Sequence, residues 1–162
     1  MDTGAVKEED IYRMIASPEP DKEATQEPEH YLVSPEVQRR ALDPPLLGDI
    51  SVPDGYAHVT GDCGDAMEVF LAIRGRRIRQ ARFDTLGCGF TLACGSMAME
   101  MAEGETVSDA MRIDAGKIAL ALGGLPATHD HCAELAAETL KKAIQDYLHR
   151  GNEPWKKLYR NH

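Results

Sequence analysis

Hydrophobic and polar residues alternate along the middle of the chain, a pattern typical of strands with one buried face. Within residues 65–74 every second side chain is apolar, and four of them share one face: Met67, Val69, Leu71 and Ile73. A shorter alternating run covers residues 55–61, and residues 77–85 return after a predicted turn at Gly75 and Arg76. Because the connections are short, the three segments predict an antiparallel meander.

In the second half of the chain, apolar residues recur at helical spacing. Long helices are predicted over residues 90–103 and 130–151, the second with Asp130 as its N-cap. Two short helices are predicted between them, one starting at Thr106 and one over residues 114–122. Strands followed by helices predict an α+β fold, in which helices pack on one face of a small three-stranded antiparallel sheet.

The first 36 residues differ in charge from the rest of the chain. The 162 residues carry a formal net charge of −9, of which residues 1–36, with ten acidic and three basic side chains, contribute −7. This segment is also rich in Pro and Glu and buries little apolar area, so we expect a flexible acidic extension. The domain is then expected over residues 37–150, followed by a tail over residues 151–162.

Composition also argues against several function classes. The acidic balance leaves no basic face for nucleic acid. No apolar run approaches the ~20 residues of a membrane span, and residues 1–10 lack the features of a secretory signal. We therefore expect a cytoplasmic protein, without a membrane partner, whose four cysteines remain thiols or bind a metal.

Three of the cysteines stand in settings that favour metal chemistry. Cys63 lies in a loop of Gly and Asp residues, Cys88 stands between two glycines at a helix start, and Cys132 lies in the first turn of the last helix. Backbone N–H groups at a helix start favour the thiolate, the form that binds soft metals. No two form a Cys-x-x-Cys pair, so the fold must assemble such a site from distant segments. Cys94, inside a predicted helix, is expected to pack in the core.

Oxygen and nitrogen donors lie close to two of these thiols. Asp65 follows Cys63 by two residues, and His129 and His131 precede Cys132. A single histidine near a cysteine is weak evidence, and loop aspartates commonly accept hydrogen bonds from backbone N–H groups instead. The residues alone therefore leave open whether these donors complete a metal site.

Several segments resemble the IscU/NifU N-terminal-type iron–sulfur cluster assembly scaffolds. They are Asp43-Pro44-Pro45-Leu46-Leu47-Gly48, Cys63-Gly64-Asp65-Ala66-Met67, Ala81-Arg82-Phe83-Asp84-Thr85-Leu86-Gly87-Cys88-Gly89, and Leu122-Gly123-Gly124-Leu125-Pro126 leading to His131-Cys132. They occur in the family's order and at similar spacings, over about residues 37–150.

The resemblance implies a scaffold to which a cysteine desulfurase delivers sulfur, and on which added iron gives a [2Fe–2S] cluster for apo iron–sulfur acceptor proteins. By position it implies that Cys63, Cys88 and Cys132 are cluster ligands and sulfur acceptors. Asp65 and His131 become exchangeable fourth ligands, since a hard oxygen donor binds iron–sulfur more weakly than a thiolate does. Zinc suits the same donors tetrahedrally, so we expect it to bind to the isolated protein.

One segment departs from the family pattern. The family has Leu-Pro-Pro-x-Lys before the His-Cys pair, whereas residues 125–129 read Leu-Pro-Ala-Thr-His. Because this segment is the recognition site of the family's dedicated Hsp70-type chaperone, we do not expect chaperone-assisted release of the usual kind. His129 replaces the lysine and is a candidate additional ligand.

Two alternatives remain beside the scaffold. The first is a zinc-dependent sulfurtransferase of the SufU type, with Cys132 or Cys63 as the relay thiolate. That relative carries an insertion between the second and third thiols, for which the 44 positions from Cys88 to Cys132 leave no room. The second is a zinc-binding module without transfer activity. We favour a scaffold that is not an enzyme.

Overall fold

The computed structural model describes residues 33–151, and its first element is a helix that the hydrophobic pattern did not predict. Helix α1 spans Pro35–Leu42, with Pro35 in its first turn. The Ser34 hydroxyl caps it by accepting a 3.1 Å hydrogen bond from the backbone N–H of Val37. The helix thus starts before residue 37, where composition placed the beginning of the domain. Most of the predicted acidic extension and of the tail lies outside the described residues.

Three antiparallel strands form one sheet in the order β1-β2-β3, as predicted. They are β1 (Gly55–Thr60), β2 (Ala66–Arg74) and β3 (Arg77–Thr85). The register pairs Val69 of the central strand with Ala57 and Phe83 on its two neighbours. The predicted apolar face of β2 is buried, so the alternation correctly identified the side of the sheet that the helices cover.

The helices of the second half also lie close to their predicted positions. They are α2 (Gly89–Ala102), α3 (Val107–Ala110), α4 (Ala115–Ala121) and α5 (Asp130–Gly151). Thr106 and Asp114 cap α3 and α4 through their side chains. Asp130 is not an N-cap, because a 3-10 turn over Ala127–His129 leads directly into α5 and gives Asp130 itself helical backbone angles.

Helix α2 lies at the centre of the helical layer, between α1, β3 and α5. On the α1 side, the buried guanidinium of Arg40 donates a 2.9 Å hydrogen bond to the Ser96 hydroxyl and pairs with Glu36 and Glu100. On the sheet side, α5 packs against β1 and β2. The predicted α+β class, with helices on one face of a three-stranded sheet, is confirmed. Within residues 33–151 no helix is long and apolar enough to cross a membrane.

Candidate metal centre

The N-terminal ends of α2 and α5 bring two of the predicted thiols together. Cys88 is the N-cap residue of α2, and Cys132 lies in the first turn of α5. One ligand atom from each of Cys88, His129 and Cys132 lies within 4.8 Å of the other two. Two thiolates and an imidazole at this spacing are a donor set that suits zinc or iron.

A threonine that sequence reasoning missed connects these thiols to the predicted carboxylate. The fully buried Thr91 hydroxyl donates a 2.8 Å hydrogen bond to Asp65 Oδ2. Its oxygen also lies 3.5 Å from the Sγ atoms of both Cys88 and Cys132. The carboxylate of Asp65 is therefore directed towards the thiols, at the point where the β1–β2 loop meets α2.

The two neighbouring histidines have different surroundings. The ring of His129 is half-buried and stacks on Phe90, with centroids 3.9 Å apart and an interplanar angle of 18°. His131 is exposed, and its Nε2 lies 3.6 Å from the Cys132 sulfur. Both predicted histidines are thus near the site, but His129 is the one whose nitrogen is close to both thiols.

Cys63 is not one of the three residues whose ligand atoms lie within 4.8 Å of one another. It is exposed in the β1–β2 loop, whose turn is closed by a 3.0 Å hydrogen bond from the Gly64 N–H to the Gly61 carbonyl. Gly64 has φ +88°, a conformation that favours glycine. The participation of Cys63 in a shared site with Cys88 and Cys132 stays a prediction. Cys94, by contrast, is buried in α2 as expected.

The glycines on either side of Cys88 serve close packing. Neither Gly87 nor Gly89 has a left-handed φ, so neither is required by the backbone conformation. A Cβ on Gly87 would lie 2.7 Å from the Thr91 side chain, and one on Gly89 would lie 3.1 Å from the Ala41 Cβ. The absence of a side chain at Gly87 therefore gives Thr91 its place beside the thiols.

The two facing thiols have opposite pKa shifts. Cys88 is exposed, but partial burial of its sulfur disfavours the thiolate. Hydrogen bonds from the Thr91 hydroxyl and from the backbone N–H groups of Thr91 and Phe90 outweigh this effect, so the pKa of Cys88 is lowered. Burial is also the largest influence on Cys132, and with the nearby charges of Cys88 and Asp65 it raises the pKa of Cys132 to about 11. Burial raises the pKa of Cys94 as well. The first thiolate of the pair therefore forms at Cys88.

The shifts of Cys88, Cys94 and Cys132, together with the exposure of each thiol, predict an order of alkylation by iodoacetamide in the metal-free protein, since only thiolates react. At pH 7 we expect the exposed Cys63 and Cys88 to be modified first and Cys94 last. Cys132 should react slowly, because a thiol with a pKa of about 11 is ionised in only roughly one molecule in ten thousand at pH 7. Raising the pH to 10 should accelerate Cys132 more than Cys88, because the ionisation of Cys88 saturates earlier. Mass spectrometry of digests measures each rate, and equal rates at Cys88 and Cys132 would contradict the assignment.

Comparison with known sequences agrees with this arrangement. The profile of the NifU-like N terminal domain matches residues 33–154. The iron-sulfur cluster assembly scaffold protein IscU 1 of Archaeoglobus fulgidus is 39% identical over 112 residues, covering 68% of this chain and 73% of its own. The iron-sulfur cluster assembly scaffold protein IscU of Aquifex aeolicus is 41% identical over 110 residues, covering 66% and 70% of the two chains.

Solved structures show the same fold. A putative iron-sulfur cluster assembly scaffold protein for the SUF system from Fervidobacterium islandicum superposes with a TM-score of 0.60 at 19% identity, covering 71% of this chain and 98% of its own. A nitrogen-fixing NifU-like protein from Brucella abortus, N-terminal part, gives a TM-score of 0.59 at 17% identity, covering 74% and 96%. With the profile match over most of its length, the chain belongs to the NifU-like N-terminal domain family.

Proposed function

We propose that this protein is a scaffold on which a [2Fe–2S] cluster is assembled from iron and desulfurase-derived sulfur, and from which the cluster passes to apo acceptor proteins. The observation that carries the proposal is the convergence of Cys88 and Cys132 beside a histidine and a carboxylate. The names of the Archaeoglobus and Aquifex relatives support it. The cluster is cargo here, and its cysteine desulfurase and acceptors are the proposed partners.

The set of nearby donors suits a cluster that is transferred to another protein. Thiolates are the ligands that iron–sulfur clusters prefer, and Cys88 and Cys132 supply two of them. The remaining nearby donors are Asp65, His129 and His131, which bind soft iron–sulfur centres less firmly than further thiolates would. We assign them the positions that exchange first, when an acceptor offers its own cysteines.

Cys63 has the exposure that sulfur delivery requires. Its thiol lies in the β1–β2 loop and is accessible to a partner protein, whereas Cys132 is buried. We therefore assign Cys63 to receiving sulfur from the desulfurase and to ligating the cluster. The turn that contains residues 127–129 replaces the family's chaperone-recognition sequence, so release is proposed to proceed without the dedicated Hsp70-type chaperone.

The same geometry favours one alternative, a zinc-dependent sulfurtransferase. Cys88, His129 and Cys132 form a group that could hold zinc, and Cys63 lies outside it as an exposed thiol for sulfur relay. In that case the protein would carry sulfur without iron. A zinc-binding module without transfer activity would use the same three ligands and leave Cys63 unused.

Anaerobic reconstitution separates these functions. The apo protein is incubated with ferrous iron, cysteine, a cysteine desulfurase and dithiothreitol, the reductant that converts persulfide sulfur to sulfide, and visible absorbance and bound sulfide are followed. A parallel sample without dithiothreitol is analysed for persulfide by mass spectrometry. The scaffold should develop a [2Fe–2S] chromophore with equal amounts of bound iron and sulfide. Persulfide on Cys63 without a chromophore would favour the sulfurtransferase, and neither product would favour the zinc module.

Asp65→Ala should make the cluster live longer and transfer more slowly. Removing a hard, hydrated carboxylate withdraws the labile ligand, so we expect the cluster's lifetime in air to rise on the order of tenfold. Asp62→Ala is the matched control, because Asp62 is an exposed carboxylate of the same loop. Decay of the visible absorbance measures both variants. A shorter lifetime in Asp65→Ala would indicate instead that the carboxylate only stabilises the loop.

A further inference from the structure

We propose that Thr91 is the positioning residue for Asp65, and that its hydroxyl sets how readily the cluster is released. This inference rests on the proposed function. Thr91 is fully buried in the first turn of α2, three residues after Cys88. Its hydroxyl is the point at which the β1–β2 loop, α2 and α5 come together, because it neighbours Asp65, Cys88 and Cys132.

A threonine hydroxyl has one proton, and the geometry shows where it goes. The Oγ1 to Asp65 Oδ2 distance is 2.8 Å, the usual length of a hydrogen bond from a hydroxyl to a carboxylate. The sulfur atoms of Cys88 and Cys132 are each 3.5 Å from the same oxygen. The hydroxyl therefore donates chiefly to Asp65, and its longer contacts with the two sulfur atoms are secondary.

This hydrogen bond holds a carboxylate that has few other constraints. Asp65 is half-buried at the end of a glycine-containing turn, and among residues 33–151 the one hydrogen bond to its carboxylate comes from Thr91. Without the hydroxyl, the carboxylate is free to rotate into solvent. Thr91 thus keeps the hard carboxylate oxygen of Asp65 beside the two soft thiols, where the carboxylate can bind iron and dissociate from it.

Packing fixes the Thr91 side chain in this role. Gly87 approaches so closely that a Cβ there would lie 2.7 Å from the Thr91 Cβ and 2.8 Å from its Oγ1. Gly87 is in turn held by a 3.0 Å hydrogen bond from its N–H to the Thr85 hydroxyl, at the end of β3. The position of the hydroxyl is therefore set by the sheet as well as by α2.

The test compares Thr91→Val, which removes the hydroxyl and keeps the shape, with Thr91→Ser, which keeps the hydroxyl. Each is made alone, and Thr91→Val is also combined with Asp65→Ala. After reconstitution, the lifetime of the cluster and its rate of transfer to an apo-ferredoxin are measured. Thr91→Val should lengthen the lifetime as much as Asp65→Ala does, on the order of tenfold, because either change withdraws the labile carboxylate from the iron. Thr91→Ser should behave as wild type, and the double variant should not differ from Asp65→Ala alone.

Several results would overturn the inference. They are a wild-type lifetime in Thr91→Val, a further change when Thr91→Val is added to Asp65→Ala, or a Thr91→Ser variant that behaves like Thr91→Val. Thr91→Ala is a second variant without the hydroxyl. If neither Thr91→Val nor Thr91→Ala forms a cluster while Asp65→Ala does, Thr91 supports the thiols or the fold and does not act through Asp65, which would contradict the inference.

The visible spectrum of bound Co²⁺ tests the role of Thr91 separately from the proposed scaffold function. Cobalt reports its ligands through visible absorption, without any need for a cluster. If Thr91 acts through Asp65, the Co²⁺ spectra of Thr91→Val and Asp65→Ala should agree with each other and differ from wild type. That agreement is expected even if wild type assembles no cluster, and three identical spectra would contradict the inference.

Discussion

A Cys132→Ala variant should bind no cluster and should lose most of its affinity for zinc. Cys132 is one of two thiols that face each other across the helix starts, and its sulfur lies close to both Cys88 and His129. Removing a ligand costs more than the roughly 10- to 100-fold loss that removal of a ligand's supporting group causes. Cluster absorbance after reconstitution and competition titration with a zinc chelator measure the two losses.

Cys94→Ala is the matched control for this experiment. Both cysteines are completely buried, so each substitution deletes one buried sulfur at a cost of about 1 kcal/mol in the free energy of unfolding. Cys94 lies inside α2 and is not in the group of close ligand atoms. Cys94→Ala should therefore keep its cluster and its zinc affinity. Equal loss in the two variants would mean that packing, and not ligation, explains the effect of Cys132→Ala.

Gly95→Ala should destabilise the whole domain. Gly95 faces the sheet from the middle of α2, and a Cβ there would lie 2.5 Å from the Phe83 Cδ2 and 3.1 Å from the Met67 Cε. Both side chains are completely buried in the core and have little room to move. We expect the free energy of unfolding to fall by about 2 kcal/mol, even though alanine is the better helix former. Denaturation by guanidinium chloride measures the change.

Gly116→Ala tests the same substitution in a helix without the close contact. Gly116 is exposed in α4, where the closest atom to a new Cβ would be the Asp114 Oδ1 at 3.4 Å. There we expect stabilisation of about 0.5 kcal/mol, because alanine loses less backbone entropy on folding. Destabilisation by both substitutions would contradict the assignment of the Gly95 effect to the sheet contact.

The sheet was predictable because burial on one side leaves a period of two in the sequence. Met67, Val69 and Leu71 alternate with half-buried residues and identified β2 and its inner face. Helix α1 left no such pattern. Its two buried residues are Val37 and the charged Arg40, whose partners Ser96 and Glu100 lie more than fifty residues away in sequence. A helix that is buried through a paired guanidinium carries no apolar stripe for a sequence pattern to detect.

Only part of the candidate site was predictable from the sequence. The thiols Cys88 and Cys132 could be selected from their places at helix starts, and the structure brings them together. Thr91 could not, because a threonine in the first turn of a helix is ordinary, and its role arises from Asp65 and Cys132 in other segments. The difference between His129 and His131 likewise depends on the stacking of one ring on Phe90, which neighbouring sequence does not reveal.

The most direct test of the account is transfer of a doubly labelled cluster. The protein is reconstituted with ⁵⁵Fe and ³⁵S-sulfide, mixed anaerobically with an apo-ferredoxin in the presence of an iron chelator, and separated from it at intervals. If the protein is a scaffold, both labels should reach the ferredoxin together, in a ratio of one, with little iron lost to the chelator. Transfer of ³⁵S without ⁵⁵Fe, or retention of both labels by the protein, would contradict the scaffold function.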